Sequence, residues 1–492
     1  LEDQQKINNL DQNYQFGNAL SLASDRIYIS YPVINTANER LEPSIFYKQL
    51  LRLTQAEEFS QHDLPNSAGD LLTFMTNPEA SLGYLTYLKS KRAVKVDSIL
   101  EMTEQKIGEV AQNVLEGSNF KNIPENLSPE LAQELYGDRI ETSVSQLETY
   151  YQNSFEYFLN YGLHLKKRFE NELDVIQAGN YYHETFDYLV KKIKEKNLNF
   201  ADLTDSKLTE LLIEVREELK EKGRYRQLLN DPFNKYLFHK LDQTTSNVAH
   251  YWHSNVNKTT FRPQYSELSF GKNQKVTGLS YSWKDENNKK KIVDLRGKMD
   301  RVDLAKVNDR VLGEVIDYKS SAKKFDLGLF ANGISMQMIS YLEVLKKNNK
   351  FFAQGKNLDV LGAFYQNITS SLERLSSDKM ILSNYQIKDL LKESTKKLMY
   401  NGILIADEEI LDLIEPGMEK DRANSEIYSS VKRKVNGDIS WPRNQSFTPD
   451  QLELLLAYNS YLIKNAGSEI LSGKIKLDPY TYGQQSSLTY SD

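Results

Sequence analysis

VLGEVIDYKSS, Val311 to Ser321, begins as a buried strand and ends by setting an acid and a base two residues apart. Side chains alternate across a strand, so Asp317 and Lys319 share one face and Tyr318 points to the other. The residues before it, KIVDLRGKMDRVDLA (Lys291 to Ala305), also have a period of two, and VNDR joins the runs. With Asn308-Asp309 at the centre of a two-residue turn, opposed positions have numbers with the same sum as 308 and 309. Asp300 then faces Asp317. Carboxylates roughly 5 Å apart repel by about 3 kcal/mol at an effective dielectric near 20. One is protonated, or the two share a cation, for which a hard divalent ion is the better match. On the residues alone, a surface hairpin with scattered charges remains open.

Working outward, KVTGLSYSW (Lys275 to Trp283) is a third strand, and RVLGEVIDYK (Arg310 to Lys319) completes three in succession. The run Lys289-Lys290-Lys291 reads as a solvated turn. A helix follows in GISMQMISYLEVLKK, where Gln337 and Tyr341 fall on one face. Thr448-Pro449-Asp450-Gln451 marks the start of a C-terminal helix with a capping box. SVSQLETYYQNSFEYFLNYGL (Ser143 to Leu163) and DSKLTELLIEVREELKEKG (Asp205 to Gly223) have helical apolar spacing. Near the start, RIYISYPV (Arg26 to Val33) alternates like a strand and PSIFYKQLLRL (Pro43 to Leu53) is helical. The polar segment Glu116 to Glu130, with Gly117, Pro124 and Pro129, is the expected linker. It divides residues 1–125 from 126–492.

The 492 residues are 39% hydrophobic and 26% charged, which is the composition of a folded globular chain. A net charge of −6 gives no global mark of nucleic-acid binding, so any basic groove must be local. There is no cysteine, which excludes disulfides and thiolate-held metals and fits a reducing cytoplasm. No apolar run is long enough for a membrane helix. No G-x-x-x-x-G-K-[ST] occurs, so this chain is not expected to hydrolyse ATP by itself. The chain begins at Leu1 without a methionine.

GKMDRVD (Gly297 to Asp303) followed by VIDYKSS resembles the nuclease core of the PD-(D/E)xK superfamily, in its RecB-like branch. AGNYYHETFDYL (Ala178 to Leu189) is similar to that branch's metal-histidine helix, FRPQYSELSFG (Phe261 to Gly271) to its glutamate motif, and QMISY (Gln337 to Tyr341) to its Gln-x-x-x-Tyr helix. Within the branch, SVSQLETYYQNSFEYFLNYGLHLKKR (Ser143 to Arg168) and SYPVINTANERLEPS (Ser30 to Ser44) resemble the B subunits of AddAB/RexAB helicase–nucleases.

The resemblance implies an α/β fold, a restriction-endonuclease-like core with a mixed sheet inside a largely helical domain. Residues 1–125 would be the remnant of a helicase-like region, 126–492 the nuclease domain, and the whole the C-terminal portion of a longer protein. It implies Mg²⁺ (or Mn²⁺) held by His183, Asp300, Asp317 and the Tyr318 carbonyl. Glu267, Asp300, Asp317 and Lys319 would be catalytic, and Gln337 and Tyr341 would contact DNA. The implied activity is a Mg²⁺-dependent deoxyribonuclease acting on the 5′-terminated strand. An AddA/RexA-type partner supplies the ATP motor and cuts the other strand. Many of these relatives tie their nuclease domain with a four-cysteine iron–sulfur cluster. Here Asn153-Ser154-Phe155 stands at one cysteine position and no cluster is expected. Phe155, Tyr157, Tyr480 and Tyr490 are the candidates to replace that tie. A non-catalytic DNA-binding scaffold subunit and a stand-alone RecB-like exonuclease are the alternatives.

Overall fold

The computed structural model describes residues 14–35, 39–56, 77–90, 123–165, 175–368, 396–419, 422–483 and 485–490. The chain separates into two compact units, Leu1–Asn122 and Ile123–Asp492. In the first, the helix expected near Pro43 runs over Ile45–Thr54, capped by the Ser44 side chain on the Tyr47 amide. The strand expected over Arg26–Val33 does not form. Among the described residues its end meets only an isolated bridge, Ile34 to Arg40, with Leu41 N donating to Val33 O (2.8 Å), and alternation without a partner strand leaves the rest of the run unladdered.

In the second unit the elements that build the site are, in chain order, β1 (Arg139–Thr142), α1 (Val144–Gln152), α2 (Val175–Glu195), α3 (Asp205–Lys220), α4 (Pro232–Asn255), β2 (Arg262–Phe270), β3 (Ser280–Lys284), β4 (Lys290–Leu295), β5 (Gly297–Val307), β6 (Arg310–Lys319), α5 (Gln337–Lys347), β7 (Leu358–Asn367), β8 (Asn401–Ile405), β9 (Ser446–Phe447) and α6 (Pro449–Leu471). A six-stranded mixed sheet has the order β9-β8-β7-β6-β5-β2. The β5–β6 hairpin pairs Val307 with Arg310 and Arg301 with Ile316, which is the register expected from its turn. Asn308 makes the turn in the left-handed region at φ 55°. β6 then lies parallel to β7 and is buried along nearly its whole length, as a central strand covered on both faces must be.

Those two faces have separate cores. Val302, Val315, Leu342, Leu345 and Ile463 pack on the side of α5 and α6. Ile316, Tyr318, Phe186, Val248 and Trp252 pack on the side of α2 and α4. No helix among the described residues is long and apolar enough to cross a membrane.

Three expectations are corrected here. The run Lys291–Ala305 is two strands, because the chain turns a corner at Arg296. β4 joins a second sheet, β1-β4-β3, and β5 joins the main one. Gly297 permits the corner, since a Cβ there would stand 2.6 Å from Phe270 Cζ. The period of two is present on both sides of it, and the strand before it is shorter than expected, Ser280–Lys284. The lysine run is solvated only in part: Lys289 and Lys290 are exposed, but Lys291 is buried in β4 and donates to Asp138 (2.8 Å) and Gln133 (3.0 Å). Finally, the helix over Ser143–Leu163 breaks at Asn153. That residue is extended (φ −164°, ψ 101°) and its side chain accepts from the Glu156 amide, starting a new turn.

The break lets the end of the chain dock. Ser154 Oγ donates to the Lys476 carbonyl (3.0 Å) and accepts from the Lys476 amide (2.8 Å). Tyr480 N donates to Gln152 O (3.0 Å) and Phe155 N to Lys476 O (3.2 Å). Backbone pairing at Lys476–Tyr480 therefore ties the two ends, with Tyr157 buried beside it; the Tyr490 side chain lies outside those described. Ser154→Ala leaves the Lys476 amide without that acceptor and is expected to cost about 1–2 kcal/mol. Urea unfolding checks the stability, and hydrogen exchange in α1 should speed up with it.

Candidate metal centre

Three adjacent strands and one helix deliver the polar groups. Asp300 lies on β5, between Glu267 on β2 and Asp317 on β6. The β2–β5 ladder pairs Ser266 with Arg301 and Leu268 with Met299, so Glu267 stands opposite Asp300. Glu267 itself adopts a left-handed backbone, φ 50°, while its neighbours stay in register. Such a conformation in a non-glycine residue costs on the order of 1 kcal/mol or more. The deviation is confined to the residue whose carboxylate meets Asp300 and the helix above. From α2, His183 Nδ1 reaches Asp300 Oδ1 (3.3 Å) and Glu267 Oε1 (3.4 Å). One ligand atom from each of His183, Glu267 and Asp300 lies within 4.8 Å of the others.

Asp317 is 1% exposed and differently engaged. Its Oδ1 accepts from Gln337 Nε2 (2.7 Å), and its Oδ2 lies 2.5 Å from Lys319 Nζ. Asp300 Oδ2 accepts from the Tyr318 amide at 2.7 Å. The N–H and C=O of one strand residue point to the same edge, so the Tyr318 carbonyl also faces β5. The Tyr318 ring is on the opposite face, stacked on Trp252 with centroids 5.6 Å apart.

Gln337 and Tyr341 share a helix face, as their spacing requires, but turn inward. Gln337 also donates to Tyr341 Oη (2.9 Å), and Tyr341 donates to the Lys298 carbonyl (3.0 Å). They support the carboxylates from behind. Glu148, on α1, was not singled out in the sequence. It accepts from the amides of Met336 (2.7 Å) and Gln337 (3.1 Å), fastening the start of α5 and thereby Gln337. A glutamate in an amphipathic helix carries no local sign of that use, because its partner is 188 residues away.

The charges are poised for a cation. Burial, then the negative charge of Asp300, pushes the Asp317 carboxyl up to about 6, against the pull of Lys319. Burial lowers the His183 pKa, but the carboxylates of Asp300 and Glu267 outweigh it and hold the imidazole up at about 10. A proton on His183 thus stands in for positive charge that the acids demand. Glu267 Oε1 is buried with only the long 3.4 Å approach of His183 Nδ1, short of a well-formed hydrogen bond. A weakly satisfied carboxylate oxygen beside a second carboxylate and an imidazole fits a divalent cation with oxygen-rich coordination. His183→Ala removes the nitrogen donor, and Mn²⁺ titration by calorimetry should show weaker binding, by about tenfold or more. Equal affinity would take His183 out of the ligand set.

Residues 141–480 match the model of the PD-(D/E)XK nuclease superfamily. The whole chain is 96% identical to a Lactobacillus gasseri protein named as the B subunit of an ATP-dependent helicase/deoxyribonuclease, covering 42% of it. Lactobacillus johnsonii and Lactobacillus helveticus proteins of the same name are 90% and 52% identical across the whole chain, which covers 42% and 43% of them. The chain thus spans less than half the length of these relatives.

Proposed function

This chain belongs to the PD-(D/E)XK nuclease superfamily, and from that premise we propose that it is a metal-dependent deoxyribonuclease, the nuclease-bearing part of the B subunit of a helicase–nuclease complex. The observation that carries the reading is the convergence of His183, Glu267 and Asp300 within 4.8 Å, beside the Asp317–Lys319 pair. His183, Glu267, Asp300, Asp317 and the Tyr318 carbonyl are the groups that would hold Mg²⁺ or Mn²⁺. Such an ion supplies charge neutralisation at the scissile phosphate and a water acidic enough to attack it near neutral pH.

The protein's own groups do the rest. Burial lowers the Lys319 pKa, but Asp317 outweighs it, so the ammonium stays charged. It faces the phosphate and stabilises the negative charge that grows as the phosphorus–oxygen bond breaks. Gln337 keeps Asp317 in line, and Tyr341 steadies the strand at Lys298. Both were read from the sequence as DNA contacts and are proposed here as supports. DNA contacts go to backbone phosphates, so sequence preference is weak.

Residues 1–125 as a helicase-like remnant, 126–492 as the nuclease domain, an AddA/RexA-type partner, the 5′-terminated strand as substrate and a cytoplasmic location complete the reading. Degradation of linear DNA by this chain in Mg²⁺ or Mn²⁺, stopped by EDTA, tests it. DNA binding without cleavage in either metal would return the scaffold alternative.

A further inference from the structure

Four residues beyond Lys319, the chain carries a second lysine against the same aromatic ring. Lys323 Nζ lies 5.3 Å from the centroid of Tyr365, and Lys319 Nζ lies 5.8 Å from it. The segment between them is anchored to the end of β7: Ile368 N donates to Lys319 O (2.7 Å), and Lys323 N donates to Asn367 Oδ1 (3.1 Å). The side chain is therefore delivered from a fixed backbone.

The two ammoniums differ in their partners. Lys319 has Asp317 at 2.5 Å. Among the described residues, Lys323 Nζ has no hydrogen bond or ion pair, only the ring. Its strongest acidic influence is Glu148, whose Oε1 already accepts from two amides of α5. Burial pulls the Lys323 ammonium below its usual range, and Lys319 adds repulsion. A half-buried cation beside another cation, with a ring face and the field of Glu148 and Asp317 but no hydrogen-bonded anion among the described residues, is a costly arrangement for the chain alone. An incoming anion removes the cost.

We propose that Lys323 is a second phosphate-binding lysine, which takes a DNA backbone phosphate neighbouring the one at Lys319. This rests on the nuclease reading for the identity of the polyanion. The Tyr365 ring would hold both side chains at one depth beneath the strand, so that a single-stranded backbone could lie across them.

The test is the salt dependence of binding to a labelled single-stranded oligonucleotide in EDTA, where neither metal nor cleavage enters. Each phosphate neutralised on a single strand contributes about 0.7 to the slope of log K against log salt. Lys323→Gln should make the slope shallower by about 0.7 and weaken binding equally on unrelated sequences. Lys323→Arg should keep the slope. A changed slope with an unchanged unfolding midpoint supports the contact, because a packing defect alone does not change the number of ions released. An unchanged slope in Lys323→Gln overturns the proposal, as does absence of oligonucleotide binding by the unsubstituted chain. Cleavage in Mg²⁺, measured separately, keeps the two readings apart. A chain that cuts but shows no slope change loses only this proposal. One that shows the slope change but never cuts loses only the nuclease assignment.

Discussion

Asp317→Asn is expected to abolish Mg²⁺-dependent DNA cleavage, by on the order of 10³-fold or more, without unfolding the protein. The amide matches the carboxylate in shape and can still meet Gln337, which lies 2.7 Å from Asp317 Oδ1. It cannot supply the negative charge that a cation and Lys319 require. Stability in EDTA should change little, because losing the ion pair with Lys319 is offset by relief of the burial of the carboxylate charge and of its repulsion from Asp300. Lys319→Ala should lose cleavage to a similar degree while retaining metal binding, since its ammonium is not a ligand. Cleavage that persists in a folded Asp317→Asn protein, with the metal dependence unchanged, would remove Asp317 from the chemistry. The paired readings, activity in Mg²⁺ and unfolding in EDTA, separate a chemical role from a structural one.

The largest expected loss of stability comes from the other face of the same hairpin. Arg301 is 2% exposed and lies over Trp252, 4.5 Å from its ring centroid. Its Nε donates to both oxygens of Asp303 (2.9 and 3.1 Å), and Nη2 donates to Tyr400 Oη. Asp303 is paired across the ladder with Glu314, whose carboxyl accepts from Tyr428 Oη (2.8 Å). One cation thus serves two buried acids. Burial, then the charge of Asp303, pushes the Glu314 carboxyl up to about 8, so it keeps a proton near neutral pH. Arg301→Met strands Asp303 in the core and is expected to cost about 3–5 kcal/mol, measured by urea unfolding. Replacing Arg301 and Asp303 together by apolar residues should recover much of it. A cost below about 1 kcal/mol for the single change would mean that the core readily neutralises or hydrates Asp303. The pH dependence has a definite sign. An acid whose pKa is raised by folding binds more protons folded than unfolded, so its contribution falls as pH rises from about 4.5 to about 8. Glu314→Gln should flatten that decline.

Local rules in the sequence determined a good deal. The two-residue turn at Asn308-Asp309 set the hairpin register, because each step along one strand is matched by one step along the other. Asp300 and Asp317 were therefore brought to neighbouring positions by counting alone. The Thr448 capping box follows from equally short-range geometry. Tertiary structure decided what the period of two could not express. Alternation around Arg296 looks the same whether the chain stays in one sheet or turns into another, and the corner shows only in the pairing of β4 and β5 with different sheets, with Gly297 leaving room for Phe270. Alternation over Arg26–Val33 was real, but a strand needs a partner strand, and among the described residues none runs beside it. At the centre itself, the local pattern supplied the acids, the lysine and the histidine. Which atoms meet was settled by the left-handed turn at Glu267, the seating of Gln337 on Asp317 and the distant Glu148 under α5. Those depend on packing between segments far apart in the chain, where the deciding energies are contacts and desolvation rather than backbone preference.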